Sequence, residues 1–498
     1  MNEALLKSEA LVAKGNLLRE QGKLKLAISV YVEAIKSDLN NHLGFYHLGL
    51  CLSKQKRFDE AASFYYYAIG LNPDFPPAYY ALGEILSSQN KLDKAIAYYQ
   101  KAIKLDPHRP YFYMSLAKAF KAKGDFLPAL NCYQQVINLK PDSVWAYVQL
   151  GGIFRQYGKY EQAVKCYIKA IEIDPHLQTA YTLLEFISIP DRQLNKLITV
   201  YQQIVKNNPQ IDRAWANLGK AFTQKKELKA AINSYRQACY YKTIAVYPQL
   251  AETYNNLVPK EPSFIIIGAA KCGTTSLYRY LSQHPQIVPP INKEIDFFNF
   301  NFEHDRNWYL AHFPHLPQDR FITGEASPSY FSYPKVDRRI YELFPQVKLI
   351  ILLRNPVERT ISHYYHRIRE GSENRSLETA LNSELKIIKQ ATTAQLSHLR
   401  GYLGISMYFY KLKRWLSVFP QDRVLIIKSE NFYQETPEIL SATYKFLNIG
   451  DRQSTEHSKY NSGSYKLQDE RLKTQLSKFF QPHNQKLEAL LNRKFDWD

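Results

Sequence analysis

Phe264-Ile-Ile-Ile-Gly268-Ala-Ala-Lys271-Cys272-Gly273-Thr274-Thr275-Ser276-Leu277, continued by Tyr-Arg-Tyr-Leu281, joins a short apolar run to a helical pattern through a turn holding two glycines. The apolar run predicts a buried strand. The turn has the layout of a phosphate-binding loop: its N–H groups and the positive end of the following helix surround an anion, which Gly268 and Gly273 let approach closely. The ATP-binding form ends in Gly-Lys-Ser/Thr, with the lysine on the terminal phosphates and the hydroxyl on magnesium. Here Gly273 is followed by Thr274, and the lysine stands two residues before that glycine. A second apolar strand, Lys348-Leu-Ile-Ile-Leu-Leu353, ends in Arg354 where an ATPase carries an acid for magnesium. Two cationic positions without a magnesium ligand predict a nucleotide phosphorylated at two places.

With 498 residues, 45% apolar and 14% aromatic, the chain has material for two or three domains with proper cores, which excludes general disorder. The five cysteines (51, 132, 166, 239 and 272) show no paired spacing, which argues for a reducing compartment and against a disulfide framework or a zinc site. No metal is expected. The net charge of +19 favours acidic partners such as nucleotides, sulfated glycans or membrane surfaces. No basic run or RNA-binding signature points to nucleic acid specifically. The N-terminus, Met1-Asn-Glu-Ala-Leu-Leu-Lys-Ser-Glu-Ala10, carries charges where a signal peptide needs an unbroken apolar core. No segment approaches the roughly 18 apolar residues of a membrane span. A soluble cytoplasmic protein is expected.

The first half repeats with a period of 34 residues: Gly15, Gly49, Gly83, Ala117, Gly151 and Gly219 share one register, with Glu185 at the missing step. Twelve residues later come Ala27, Ala61, Ala95, Ala129, Ala163 and Ala231, with Leu197 as the exception. Tyrosines at 31, 65, 99, 133, 167, 201 and 235 complete the register, and Pro73, Pro107, Pro141, Pro175 and Pro209 close the units. Small residues where two backbones cross, aromatics in the gaps and a closing proline make the tetratricopeptide pattern of paired antiparallel helices. Seven units fit, the sixth degenerate. Their stacking predicts a superhelix whose concave face binds a peptide or a protein partner. The domains are read as repeats over 1–245, a proline-rich linker over 246–260 and a mixed α/β domain with a central parallel sheet over 261–498.

The second half resembles the sulfotransferases that use 3'-phosphoadenosine 5'-phosphosulfate (PAPS), with the heparan-sulfate N- and O-sulfotransferases as the nearest pattern. The resemblance rests on the loop at 268–276 and on Arg354-Asn-Pro356-Val-Glu-Arg359-Thr-Ile-Ser362, in that order. It implies that Lys271, Cys272, Gly273, Thr274, Thr275 and Ser276 hold the 5'-phosphosulfate, and that Arg354 and Ser362 hold the 3'-phosphate. Arg359 is left to a structural role. The family's Glu-x-x-Phe-Phe element falls on Glu294-Ile-Asp296-Phe297-Phe298, which makes Glu294 the expected catalytic base and Asp296 a substrate contact. Lys271 is the expected catalytic cation on the departing oxygen.

Gly324-Glu325-Ala326-Ser327-Pro328-Ser329-Tyr330-Phe331 matches a further family motif, with Ala326 in place of its lysine. His363 and His366 share a helix face but have no ligand motif beside them, so a solvated or substrate-facing pair is expected. The segment Lys459-Tyr-Asn-Ser462-Gly463-Ser-Tyr-Lys466 takes the place of the loop that closes over the cofactor, with Ser462 and Gly463 as its donors. The ending through Phe495-Asp-Trp497 also resembles the heparan-sulfate enzymes. The resemblance implies sulfuryl transfer from PAPS to a hydroxyl or amine, with a glycan, a protein or a small molecule as acceptor. Three alternatives stay open: a repeat scaffold with an inactive nucleotide-binding domain, a nucleotide kinase on the same fold, which the absent Gly-Lys-Ser/Thr disfavours, and sulfation of protein tyrosine.

Overall fold

The Gly–Tyr–Ala register becomes a set of contacts in the repeats. A Cβ added at Gly49, Gly83 or Gly151 would lie 2.5 Å from the ring of Tyr65, Tyr99 or Tyr167 respectively. Each ring therefore fills the space that the missing side chain leaves. Ala27, Ala61, Ala95, Ala129 and Ala163, at the crossing positions, are all fully buried. The turns between units are equally regular. In Asn72-Pro73-Asp74, Asp106-Pro107-His108 and Asp174-Pro175-His176 the first side chain accepts the N–H two residues on, at 3.2, 3.1 and 2.9 Å.

This packing sets up a sharp contrast between neighbours on the helix Val144–Gln156. Gly151→Ala forces a methyl into the Tyr167 ring and is expected to cost about 1–3 kcal/mol. Gly152→Ala meets nothing within 4 Å and is expected to be neutral or to stabilise by up to about 1 kcal/mol. The first thermal transition of the two variants reads this difference; equal midpoints would contradict it.

The computed structural model describes residues 2–185, 187, 189–317, 320–452 and 469–497. It divides into two compact units, Met1–Gln193 and Leu194–Asp498. The first is all helical, from Asn2–Glu20 to the short Gln178–Glu185 of the degenerate sixth repeat. Tyrosines at the register positions are its core, while Tyr66, Tyr67, Tyr157 and Tyr160 are exposed. Cys51 and Cys166 are buried and Cys132 is half-buried, and all five cysteines are free.

The second unit is built on a parallel sheet. Its strands are β1 (Phe264–Gly268), β2 (Gly324–Ala326), β3 (Lys348–Leu353) and β4 (Val424–Lys428), in the order β2-β1-β3-β4. β1 and β2 are buried throughout and β3 nearly so, as a parallel sheet covered on both faces requires. The chain leaves β1 for β2 on one side and returns to β3 on the other. The order therefore reverses between β1 and β3, and the crevice outside their carboxyl ends is where such sheets bind ligands.

The seventh helical pair, Asp212–Gln224 and Leu228–Val246, belongs to this second unit. Trp308 Nε1 donates to Thr223 Oγ1 at 2.9 Å, and the Tyr235 and His312 rings lie 3.9 Å apart. The rest of the 246–260 linker follows the helix and contains two 3₁₀ turns, Pro248–Leu250 and Tyr254–Asn256. Tyr254 stacks on His315 at 4.9 Å and its hydroxyl accepts the His315 N–H at 3.1 Å.

Candidate active site

The loop after β1 is shaped by its backbone. Gly268 has φ +155, and a Cβ there would lie 2.5 Å from Phe331 Cβ, so only glycine fits beneath that ring. Gly273 has φ +93, and a Cβ on it would meet the Tyr433 hydroxyl at 2.7 Å. Between them Lys271 adopts the left-handed conformation with φ 71. The helix Thr274–Leu281 begins directly after the loop, and Leu277 N reaches back to Gly273 O at 3.1 Å. The amides of Thr274, Thr275 and Ser276 precede that bond and make up the first turn of the helix. Thr274 and Ser276 are buried.

Cys272 is engaged within the protein. Its N–H donates to Ala269 O at 3.2 Å, its carbonyl accepts from Ser429 Oγ at 2.6 Å, and its sulfur lies 3.7 Å from the Tyr408 hydroxyl. Burial pushes its thiol up to about 11.

Arg354 follows β3 beside this loop. Ala269 N donates to Leu352 O at 2.8 Å, and the Tyr408 hydroxyl, next to Cys272, donates to Arg354 O at 2.8 Å. The guanidinium pairs with Glu358 at 3.3 Å and keeps 27% of its side chain exposed. Asn355 caps the next helix, Pro356–Arg369, by accepting from Val357 N and Glu358 N. Asn355 N in turn donates to Glu430 Oε1 at 2.8 Å, and Glu430 Oε2 accepts from Trp497 Nε1 at 3.4 Å. The chain's last aromatic residue is thereby tied to the tip of β3. Ser362 lies half-buried two turns along the same helix.

That helix also brings a face to the loop which the motif alone does not reveal. Arg359 is fully buried: Nε donates to Ser406 Oγ at 2.6 Å, Nη2 to Tyr402 O at 2.6 Å and Nη1 to Ala270 O at 3.4 Å. It therefore holds the loop's carbonyl beside Lys271. His363, His366 and Glu370 continue the face at helical spacing, and His366 Nε2 lies 2.9 Å from Glu370 Oε1. Burial pushes the Lys271 ammonium down to about 8; Glu370 is the strongest charge opposing that shift, ahead of Glu294. Burial, then Arg359, hold His363 well below the usual histidine range, and burial, then Lys271, lower His366.

The acidic side of the site comes from the loop before Phe297. Glu294 and Asp296 both take left-handed conformations, with φ 62 and 52. Glu294 N donates to Ala326 O at 3.1 Å, which seats it at the end of β2, and its carboxylate pairs with Lys293 while remaining half-exposed. Asp296 accepts from Ser329 Oγ at 2.6 Å and Asn299 Nδ2 at 3.2 Å, and burial raises its carboxyl. Ser462 and Gly463 lie outside the described residues.

Glu325 is a structural carboxyl. It is fully buried and accepts from Tyr309 OH at 2.9 Å, Ser327 Oγ at 3.0 Å and Tyr330 OH at 3.2 Å. Burial outweighs these donors and lifts it from 4.5 to about 7. The folded state then holds a proton that the unfolded state has released. The contribution is complete below about pH 4.5 and is lost as pH rises through about 7. Glu325→Gln is expected to flatten that fall in stability, read as urea midpoints from about pH 5 to 8. An unchanged pH dependence would contradict it.

Comparison with known proteins fits this geometry. The sulfotransferase-domain model matches residues 261–481, and tetratricopeptide-repeat models match 12–76, 76–109, 110–143, 144–177 and 212–243. Mouse heparan sulfate glucosamine 3-O-sulfotransferase 5 is 32% identical, over 49% of this chain and 76% of that protein. The chain belongs to the sulfotransferase family. This sulfotransferase is also 31% identical to the human bifunctional heparan sulfate N-deacetylase/N-sulfotransferase 2, over 38% of this chain and 22% of that one. A crystal structure of a sulfotransferase from Alicyclobacillus acidocaldarius shares 32% identity, covering 48% of this chain and 98% of that chain, with a TM-score of 0.42. Among the described residues no group of three or more His, Cys, Asp or Glu is placed to hold a metal, and no helix is long and apolar enough to cross a membrane.

Proposed function

We propose that this sulfotransferase moves a sulfuryl group from PAPS to a hydroxyl or amine of a carbohydrate acceptor. The observation that carries the reading is the reversal of strand order between β1 and β3, which sets the Lys271 loop and Arg354 side by side. A nucleotide phosphorylated at both positions needs two separate donor sets, and the residues fit. Lys271 with the first-turn amides of Thr274, Thr275 and Ser276 suits the 5' group, and Arg354 with Ser362 suits the 3'-phosphate. Gly273 lets the turn pack against the Tyr433 hydroxyl, while Cys272, held through its N–H and its carbonyl, shapes the loop.

Bound PAPS supplies the activated sulfuryl group. Lys271 stabilises negative charge on the oxygen that leaves, and Glu294 takes the proton of the attacking hydroxyl or amine. A carbohydrate acceptor is favoured by relatives named for 3-O- and N-sulfation of heparan sulfate. The repeats, read as residues 1–245, recruit a protein partner or the acceptor itself. The test is transfer of labelled sulfate from PAPS by the purified full chain to desulfated heparan sulfate, tyrosine peptides and small phenols. Incorporation into the glycan is expected; label only in the peptides or phenols would overturn the choice of acceptor, and no label in any would overturn the reading.

A further inference from the structure

The loop that carries Glu294 is fastened by a residue of the seventh repeat. Pro289 and Pro290 open this loop, and neither has an N–H with which to join a backbone ladder. The buried Pro290 carbonyl instead accepts a 2.6 Å bond from Lys242 Nζ, on the helix Leu228–Val246. One turn earlier on that helix Cys239 Sγ donates to Ala311 O at 3.5 Å, and a turn before that Tyr235 lies 3.9 Å from His312. Tyr235, Cys239 and Lys242 thus form one helix face laid along residues 290 and 311–312. Ile291 N donates to His312 O at 2.9 Å, so the same face fixes both partners of that bond. The far end of the loop is fixed by Glu294 N on Ala326 O at 3.1 Å. Only Asn292 and Lys293 lie between the two anchored ends.

We propose that Lys242 is a positioning residue for sulfuryl transfer: by holding the Pro290 carbonyl it sets where the Glu294 carboxylate is presented, and so makes the seventh repeat a working part of the enzyme. The proposal rests on the reading of Glu294 as the base. An ammonium-to-carbonyl bond is charge-assisted and stronger than a neutral one. Without it the Pro290 carbonyl loses its tie to the seventh repeat, and a buried carbonyl is left to find another donor. A shift of about 1 Å in a reacting group costs up to about 10²-fold in rate.

The test compares wild type, Lys242→Met and Lys242→Arg as full chains, with PAPS and desulfated heparan sulfate as substrates. Lys242→Met is expected to lower kcat about tenfold or more while leaving KM for PAPS and the calorimetric affinity for 3'-phosphoadenosine 5'-phosphate unchanged. Hydrogen exchange of the free protein is expected to rise in the peptide spanning 290–296 and not in β1 or β3. Lys242→Arg, which keeps a cationic donor, restores most of kcat. Wild-type kcat in Lys242→Met, or a parallel loss of nucleotide affinity and thermal midpoint, would overturn the proposal. Glu294→Gln separates the two readings. If that variant is inactive while Lys242→Met is fully active, only the positioning role fails; if Glu294→Gln is fully active, the base assignment fails with it.

Discussion

Replacing Lys271 with methionine is expected to lower kcat for sulfuryl transfer by about 10²–10³-fold, the scale on which a single preorganised donor at a developing charge acts. Methionine keeps much of the stem and removes only the ammonium. The loop around it is held independently, by Arg359 on Ala270 O and by Ser429 on Cys272 O, so the fold is expected to survive. The ammonium has a second signature. In the free enzyme burial brings it down to about 8, and its working form is the protonated one. The kcat/KM profile is therefore expected to fall as pH rises through that value. Lys271→Arg keeps its charge at higher pH and is expected to remove the fall, at a lower plateau. Activity of Lys271→Met within about twofold of wild type would dismiss its role.

Glu294→Gln is expected to lower kcat by about 10²–10⁴-fold with nucleotide affinity unchanged, because general-base catalysis contributes on that scale and the carboxylate is assigned no part in holding PAPS. The position is suited to the task. A non-glycine residue in the left-handed region is uncommon, and the reacting side of this site holds three: Lys271, Glu294 and Asp296. Such conformations gather at functional sites, where surrounding contacts over-determine them. Glu294 is kept in place by Ala326 O and by Lys293, and its half-exposed carboxylate is open to an acceptor, unlike the enclosed Glu325. Steady-state kinetics beside calorimetry with 3'-phosphoadenosine 5'-phosphate check this. Equal losses in affinity and in turnover would move Glu294 from base to ligand.

Much of this architecture is legible in the chain because it repeats or because it is punctuated. The Gly–Tyr pairs sixteen residues apart, such as Gly151 with Tyr167, are at once a sequence register and a steric fit. β1 and β3 read as strands because buried parallel strands are continuous apolar runs. β2 is three residues long, and a run of that length carries no periodicity, so Gly324–Ala326 reads only as part of a motif. At the site, the loop and Arg354 are legible because their chemistry is local. The face Arg359, His363, His366, Glu370 has the right spacing, yet only the fold turns it toward Lys271. Contacts such as Trp308 with Thr223 and Lys242 with Pro290 join residues 85 and 48 positions apart, and no local pattern announces them.

The central claim is a site for a nucleotide phosphorylated at both its 3' and 5' positions. Calorimetric titration of the full chain with 3'-phosphoadenosine 5'-phosphate, beside ADP with magnesium, tests it in wild type and in Arg354→Ala. Wild type is expected to prefer the 3'-phosphorylated nucleotide by about tenfold or more, the worth of one charge-assisted bond, and Arg354→Ala is expected to lose that preference. Equal affinity for the two nucleotides, or no binding of 3'-phosphoadenosine 5'-phosphate by the folded wild type, would contradict the account.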